Sequence, residues 1–155
     1  MKKLVSTFFG LTVLAVMSIP VFAATDIANY SWSMDYRVVD GEKNGQIHTL
    51  RDGTIQLGGT LNTVSVDSGY TPITSTVKIG VFDQDGAFSA DDLVGTIDVQ
   101  PYNMVGTSRT FSKNFGWFVA DGGGSDNRGE YYLYLEKTID DNWNLSGSGT
   151  LTSTY

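Results

Sequence analysis

The sequence has no cysteine, one histidine and three prolines, and it is short of positive charge: 10 Lys+Arg stand against 17 Asp+Glu, a net charge of −7. Each shortage removes a class of protein. Without cysteine there is no disulfide scaffold, thiol nucleophile, cysteine-ligated zinc or iron–sulfur cluster. A single imidazole, His48, leaves no multi-histidine metal centre and one candidate for Ser-His-Asp chemistry. It sits in Gly45-Gln46-Ile47-His48-Thr49, away from any nucleophile-elbow glycines. Glycoside hydrolysis by paired carboxylates needs a cleft that a chain of 155 residues has little room to build. The expectation is a non-enzymatic protein. The acidic excess repels phosphate backbones and so argues against nucleic acid as a partner.

Long apolar runs are confined to the start. Lys2 and Lys3 precede the apolar stretch 4–19, Pro20 follows, and Val21-Phe22-Ala23 places small residues where a signal peptidase reads. That three-part pattern is expected to be a Sec-type secretory signal, residues 1–23, cleaved before Ala24. The stretch is shorter than the roughly 20 residues a membrane span needs. No later stretch is apolar enough to cross as a helix. Removing 23 residues that carry two lysines and no acid leaves 132 residues with 17 Asp+Glu against 8 Lys+Arg. The expected product is an exported, disulfide-free bacterial protein, periplasmic or extracellular, forming a single domain over 24–155.

What the mature chain has in quantity is period-two alternation and turn residues. Tyr30, Trp32, Met34, Tyr36 and Val38 share one parity, and Asp40-Gly41, Asn44-Gly45 and Asp52-Gly53 mark turns. Strands are expected at 30–38, 46–50, 54–66, 76–82, 95–99, 109–118, 130–138 and 145–154, with a bulge or bend at Gly58-Gly59 and a loop tip at Gly122-Gly123-Gly124-Ser125. No sustained 3.6-residue period follows residue 24. About eight short strands with Gly/Asp/Asn turns predict an all-β fold, an antiparallel β-sandwich or small barrel.

One segment concentrates charge. Val77, Ile79 and Val81 form one face of a strand that runs into Asp83-Gln84-Asp85-Gly86-Ala87-Phe88-Ser89-Ala90-Asp91-Asp92, after which Leu93-Val94-Gly95 resumes a strand. Four carboxylates in ten residues, with no Lys or Arg among them, repel one another unless a cation sits between them. Calcium accepts the 6–8 irregular oxygen ligands that such a loop presents. Asp83 and Asp85 leave the strand on one side, and Asp91 or Asp92 closes the ring; a solvated acidic turn without an ion is the alternative. The spacing is not that of an EF-hand, because positions 5, 6 and 12 counted from Asp83 are Ala87, Phe88 and Val94.

The run Val81-Phe82-Asp83-Gln84-Asp85, followed by Asp91-Asp92-Leu93-Val94-Gly95, resembles the third calcium-binding loop of C2 domains. Downstream, Asn114-Phe115-Gly116-Trp117-Phe118 and Gly129-Glu130-Tyr131-Tyr132-Leu133-Tyr134-Leu135 extend the similarity over about residues 72–136. The resemblance implies a C2-like sandwich that binds Ca²⁺ through Asp83, Asp85 and Asp91 or Asp92, and meets a protein, glycan or lipid surface through that loop. The loop is one residue longer than the family norm. The second calcium loop of the family is not visible upstream, where Asp35, Asp40, Asp52 and Asp67 remain open as further ligands. A polybasic strand is also missing, so calcium carries over better than phospholipid.

The aromatic residues supply the other candidates. Trp117, Tyr132 and Tyr134, with Tyr131 and Trp143 nearby in sequence, are candidate sugar-stacking residues, while Tyr131, Leu133 and Leu135 share the parity expected of a core face. Tyr155 closes an alternating strand as in pilus-like or matrix subunits, so a surface-assembly subunit or carbohydrate-binding module without a metal is the alternative function. The segments 60–67 and 146–154 are too polar for a membrane barrel.

Overall fold

Alternation of more and less buried positions runs along much of the strand structure of the computed structural model, which describes residues 23–67, 73–86, 89–121 and 127–155. The nine strands in chain order are β1 (Thr25–Met34), β2 (Val38–Asp40), β3 (His48–Arg51), β4 (Gly53–Val66), β5 (Val77–Asp83), β6 (Asp92–Val99), β7 (Ser108–Phe118), β8 (Arg128–Lys137) and β9 (Trp143–Thr154). One antiparallel sheet has the order β1-β9-β4-β7; the other runs β2-β8-β5-β6, with β3 also paired to β8. No helix among the described residues is long and apolar enough to cross a membrane. The expected signal segment lies outside the described residues except for Ala23, and the glycine tip 122–125 lies outside them too.

The inner faces of the two sheets meet in one core. Tyr30, Trp32, Met34, Ile55, Leu57, Leu61, Leu145 and Leu151 of the first sheet pack toward Leu50, Val77, Ile79, Val81, Tyr131, Leu133 and Leu135 of the second. The fold is therefore the expected antiparallel β-sandwich, with nine strands where about eight were predicted. The added strand comes from the segment 30–38, which parity alone reads as continuous. The chain leaves the first sheet after Met34 and enters the second at Val38, so Tyr36 and Val38, which share the parity of Tyr30, Trp32 and Met34, are 75% and 46% exposed. Alternation records which side a residue faces, but not which sheet carries it.

Gly58-Gly59 does not form the expected bulge. Register shifts in β4 fall instead between Ile55 and Gln56 toward β7, and between Thr63 and Ser65 toward β9. The glycines serve a close approach. A Cβ on Gly59 would stand 2.4 Å from the Tyr30 hydroxyl, which donates to the Gly58 carbonyl at 3.1 Å. Trp143, a candidate for sugar stacking, is buried in the core, and β9 is flanked by β1 and β4 instead of lying at an edge.

One end of the β5–β8 pair is closed by a buried ion pair. The Lys137 ammonium lies 2.6 Å from Asp141 Oδ1, with both side chains fully buried, and it donates to the Trp143 carbonyl at 3.0 Å. Asp141 also accepts the Ser75 backbone N–H at 2.5 Å and the Trp143 N–H at 3.2 Å. Each charge is thus paired and hydrogen-bonded, the condition under which a buried pair is tolerated. Lys137→Met strands the Asp141 carboxylate and is expected to cost about 3–5 kcal/mol in urea unfolding. A loss below about 1 kcal/mol, the value of a surface pair, would show that the bridge is not structural.

Candidate metal centre

The inward face of β5 reads Val77, Ile79, Val81 and then Asp83, all fully buried. The core row therefore ends on a carboxylate. Both oxygens of Asp83 are buried without a hydrogen-bond partner among the described residues, as is Oδ1 of Asp85 two residues on. Space for the Asp83 carboxylate depends on Gly129, where a Cβ would stand 2.6 Å from Asp83 Oδ1 and 2.5 Å from Ala120 Cβ. The Tyr131 hydroxyl on the same side is also buried and unpartnered.

Topology brings a third acid to these two. β8 pairs with β5, with Tyr131 opposite Asp83, and the segment after β7 places Ala120 against Gly129 of β8 and then carries Asp121. One carboxylate oxygen from each of Asp83, Asp85 and Asp121 lies within 4.8 Å of the others. Oxygens on opposite sides of a calcium ion, each about 2.3–2.6 Å from it, are about 5 Å apart, so this spacing suits a shared ion. Among the described residues, the ion pairs join other partners: Lys43 with Asp40, Lys78 with Glu136, Arg128 with Asp26 and Lys137 with Asp141.

The electrostatics follow from this crowding. Burial pushes the Asp83 carboxyl up to about 7, with the charge of Asp85 adding to the effect and Asp121 and Asp92 contributing less. The Glu130 backbone N–H favours the charged form, although its geometry falls short of a hydrogen bond. The Asp85 carboxyl is also raised, first by burial and then by Asp121, with Asp92 and Asp91 behind it. Tyr131 is raised by burial and by the nearby Asp83 and Asp52 carboxylates. All three shifts resist added negative charge and would be relieved by a cation.

The four predicted ligands divide into two pairs. Asp83 and Asp85 stand in the cluster. Asp91 instead clasps the hairpin: it accepts the Asp85 N–H at 3.0 Å on one oxygen and the Tyr132 hydroxyl at 2.7 Å on the other. Asp92 is exposed at the start of β6, opposite Asp83 in the ladder. Sequence reading missed Asp121, because only the packing of the segment after β7 against β8 places it there. Of the upstream candidates, Asp52 tethers the cluster, accepting the Ala120 N–H at 3.1 Å; Asp40 pairs with Lys43 and Asp67 accepts from Asn144.

The three predicted stacking residues are not brought together. Tyr132 is 6% exposed and stacked on Phe82 with centroids 5.5 Å apart, and Tyr134 meets the same ring edge-on at 6.3 Å. Both stand on the outer face of the second sheet, whereas Trp117 is 66% exposed on β7 of the first. His48, half-buried on β3, is lowered by burial.

No family model and no curated protein matches the chain. Among solved structures it is similar to a mitogen derived from Yersinia pseudotuberculosis, at 9% identity and a TM-score of 0.38 over 82% of this chain and 86% of that one. It is also similar to a chain of Broad Bean Stain Virus, at 15% identity and a TM-score of 0.36 over 90% and 92% of the two chains. A third similarity, to infectious bursal disease virus Gx strain, has 13% identity and a TM-score of 0.39 over 87% of this chain and 32% of that one. None of the three bears on a ligand or an activity.

A carboxyl whose value rises from 3.8 unfolded to about 7 folded holds its proton more tightly in the native state. In metal-free protein its contribution to stability is complete below about pH 4 and is lost progressively as pH rises through about 7. Urea unfolding in chelator is expected to show that decline, and Asp83→Asn is expected to flatten it and to raise stability at about pH 8. An unchanged profile in the variant would place the titration elsewhere.

Proposed function

We propose that the chain is an exported, C2-like β-sandwich that binds Ca²⁺ and acts as a non-enzymatic binding or structural module, periplasmic or extracellular. The ion is held by Asp83, Asp85 and Asp121, with Asp92 adding negative potential beside it. The observation that carries this reading is the wholly buried Asp83 carboxylate facing two further acids, its oxygens unbonded and unpaired with any cation among the described residues. Leaving a charge in that state is costly, and either a proton or a metal ion removes the cost. Three carboxylates supply up to six oxygens, and waters complete the 6–8 that calcium takes.

Mechanistically, the ion neutralises the end of the sandwich and ties the β5–β6 turn to the segment before β8. Its water-filled positions then bridge to a partner's carboxylate, phosphate or sugar hydroxyls. Calcium is expected over magnesium, because magnesium demands near-ideal octahedral geometry at about 2.0–2.1 Å, which a ring assembled from two loops does not offer.

Calorimetric titration tests the proposal. Calcium is expected to bind more tightly than about 1 mM, the weak end for extracellular modules. At about 100-fold above Kd it should stabilise the fold by about 2.7 kcal/mol. Asp83→Asn with Asp85→Asn should abolish both effects while leaving the chelator-treated fold intact. No heat and no thermal shift with calcium would sink the reading.

A further inference from the structure

Beside the acidic cluster lies a groove of about 510 Å³, lined by Arg51, Asp52, Trp117, Val119, Asn127, Arg128 and Tyr155. Its size is that of a small-ligand site. The composition of its walls is unusual for this chain. Four arginines follow residue 24, and two of them, Arg51 and Arg128, are here. Between them stand the most water-exposed tryptophan described, Trp117 at 66%, and Val119 at 60%. Together the indole and the valine make an exposed apolar patch, the informative kind of exposure.

One buried-side carboxylate organises the groove. Asp26 Oδ1 accepts the Tyr155 hydroxyl at 3.1 Å, and Asp26 Oδ2 accepts the Arg51 backbone N–H at 3.1 Å and lies 3.7 Å from Arg128 Nη1. The Arg51 guanidinium rests 4.7 Å from the centroid of the Tyr155 ring. Among the described residues it forms no ion pair of its own. Its planar fork is therefore held in place by a ring with its donors available, the state in which arginine binds a carboxylate at two points. The exposed indole offers a flat apolar face to the face of a ring.

We infer that this groove binds an acidic saccharide of the hexuronate class, a pyranose stacked on Trp117 with its carboxylate on Arg51 and Arg128. A ring that carries its own carboxylate satisfies both wall chemistries at once. The apolar part of the groove is an open ring and a valine rather than an enclosed slot that would lock a peptide side chain. The inference deepens the proposed module role by naming a partner class, but it uses none of the three aspartates that hold the ion.

The full exported protein, titrated with a three-ring oligogalacturonate in chelator and followed by tryptophan fluorescence and calorimetry, tests this without the cation. Saturable binding is expected. Trp117→Ala and Arg51→Gln should each weaken it at least tenfold, with the melting temperature unchanged because both side chains are exposed. The same oligomer with its carboxylates reduced to alcohols should bind at least tenfold less tightly. Absence of binding, binding unaltered in both variants, equal affinity for the reduced oligomer, or tighter binding of a peptide C-terminal carboxylate would each overturn the inference. The chelator separates the two readings, since loss of uronate binding here leaves calcium binding by Asp83 and Asp85 untouched, and the reverse holds.

Discussion

A carboxylate at the end of a hydrophobic row, with nothing to pair it, is the constraint around which this molecule is arranged. The strand pair β5–β8 meets the problem of buried charge twice. At one end, Asp141 is answered by Lys137 and by two backbone N–H groups. At the other, Asp83 is equally buried and its oxygens accept no hydrogen bond among the described residues. A fold that compensates one buried acid so fully and leaves the other open separates a structural charge from a receptive one. Desolvation alone drives Asp83 toward neutrality, and its acidic neighbours add to the same pressure.

The surroundings of Asp83 are held more firmly than Asp83 itself. Asp91 fastens the β5–β6 turn to Tyr132, which is in turn stacked on Phe82. Asp52, the corner between β3 and β4, fastens the Ala120 backbone just before Asp121. Both turns that carry the three acids are therefore anchored to the sandwich at residues outside the cluster. Such positioning lowers the ordering entropy an ion would otherwise have to overcome. It also links the acidic cluster to the groove around Trp117, because Val119, Ala120 and Asp121 are consecutive.

Much of the fold was legible in the sequence, since parity and turn residues are local signals. The row Val77, Ile79, Val81 and the row Tyr131, Leu133, Leu135 both fall where alternation places them. What parity does not carry is sheet membership, and Tyr36 is exposed because the chain changes sheets at that point. Gly58-Gly59 signalled a special backbone position correctly, but the cause is the hydroxyl of Tyr30 and not a bulge. For the site, Asp83 and Asp85 were legible because they extend a strand face already identified. Asp121 was not, since it lies more than thirty residues beyond Asp85 and only the tertiary fold brings the two together, and Asp91 stands outside the three-acid cluster, accepting the Asp85 N–H and the Tyr132 hydroxyl.

The central claim is that a metal ion, and not a proton alone, satisfies Asp83. Crystals grown in calcium, with anomalous scattering data, address it most directly. The account requires a single anomalous peak with oxygens of Asp83, Asp85 and Asp121 each about 2.3–2.6 Å away. Water at hydrogen-bonding distances of about 2.7–3.0 Å in that position, with no anomalous signal, would contradict it.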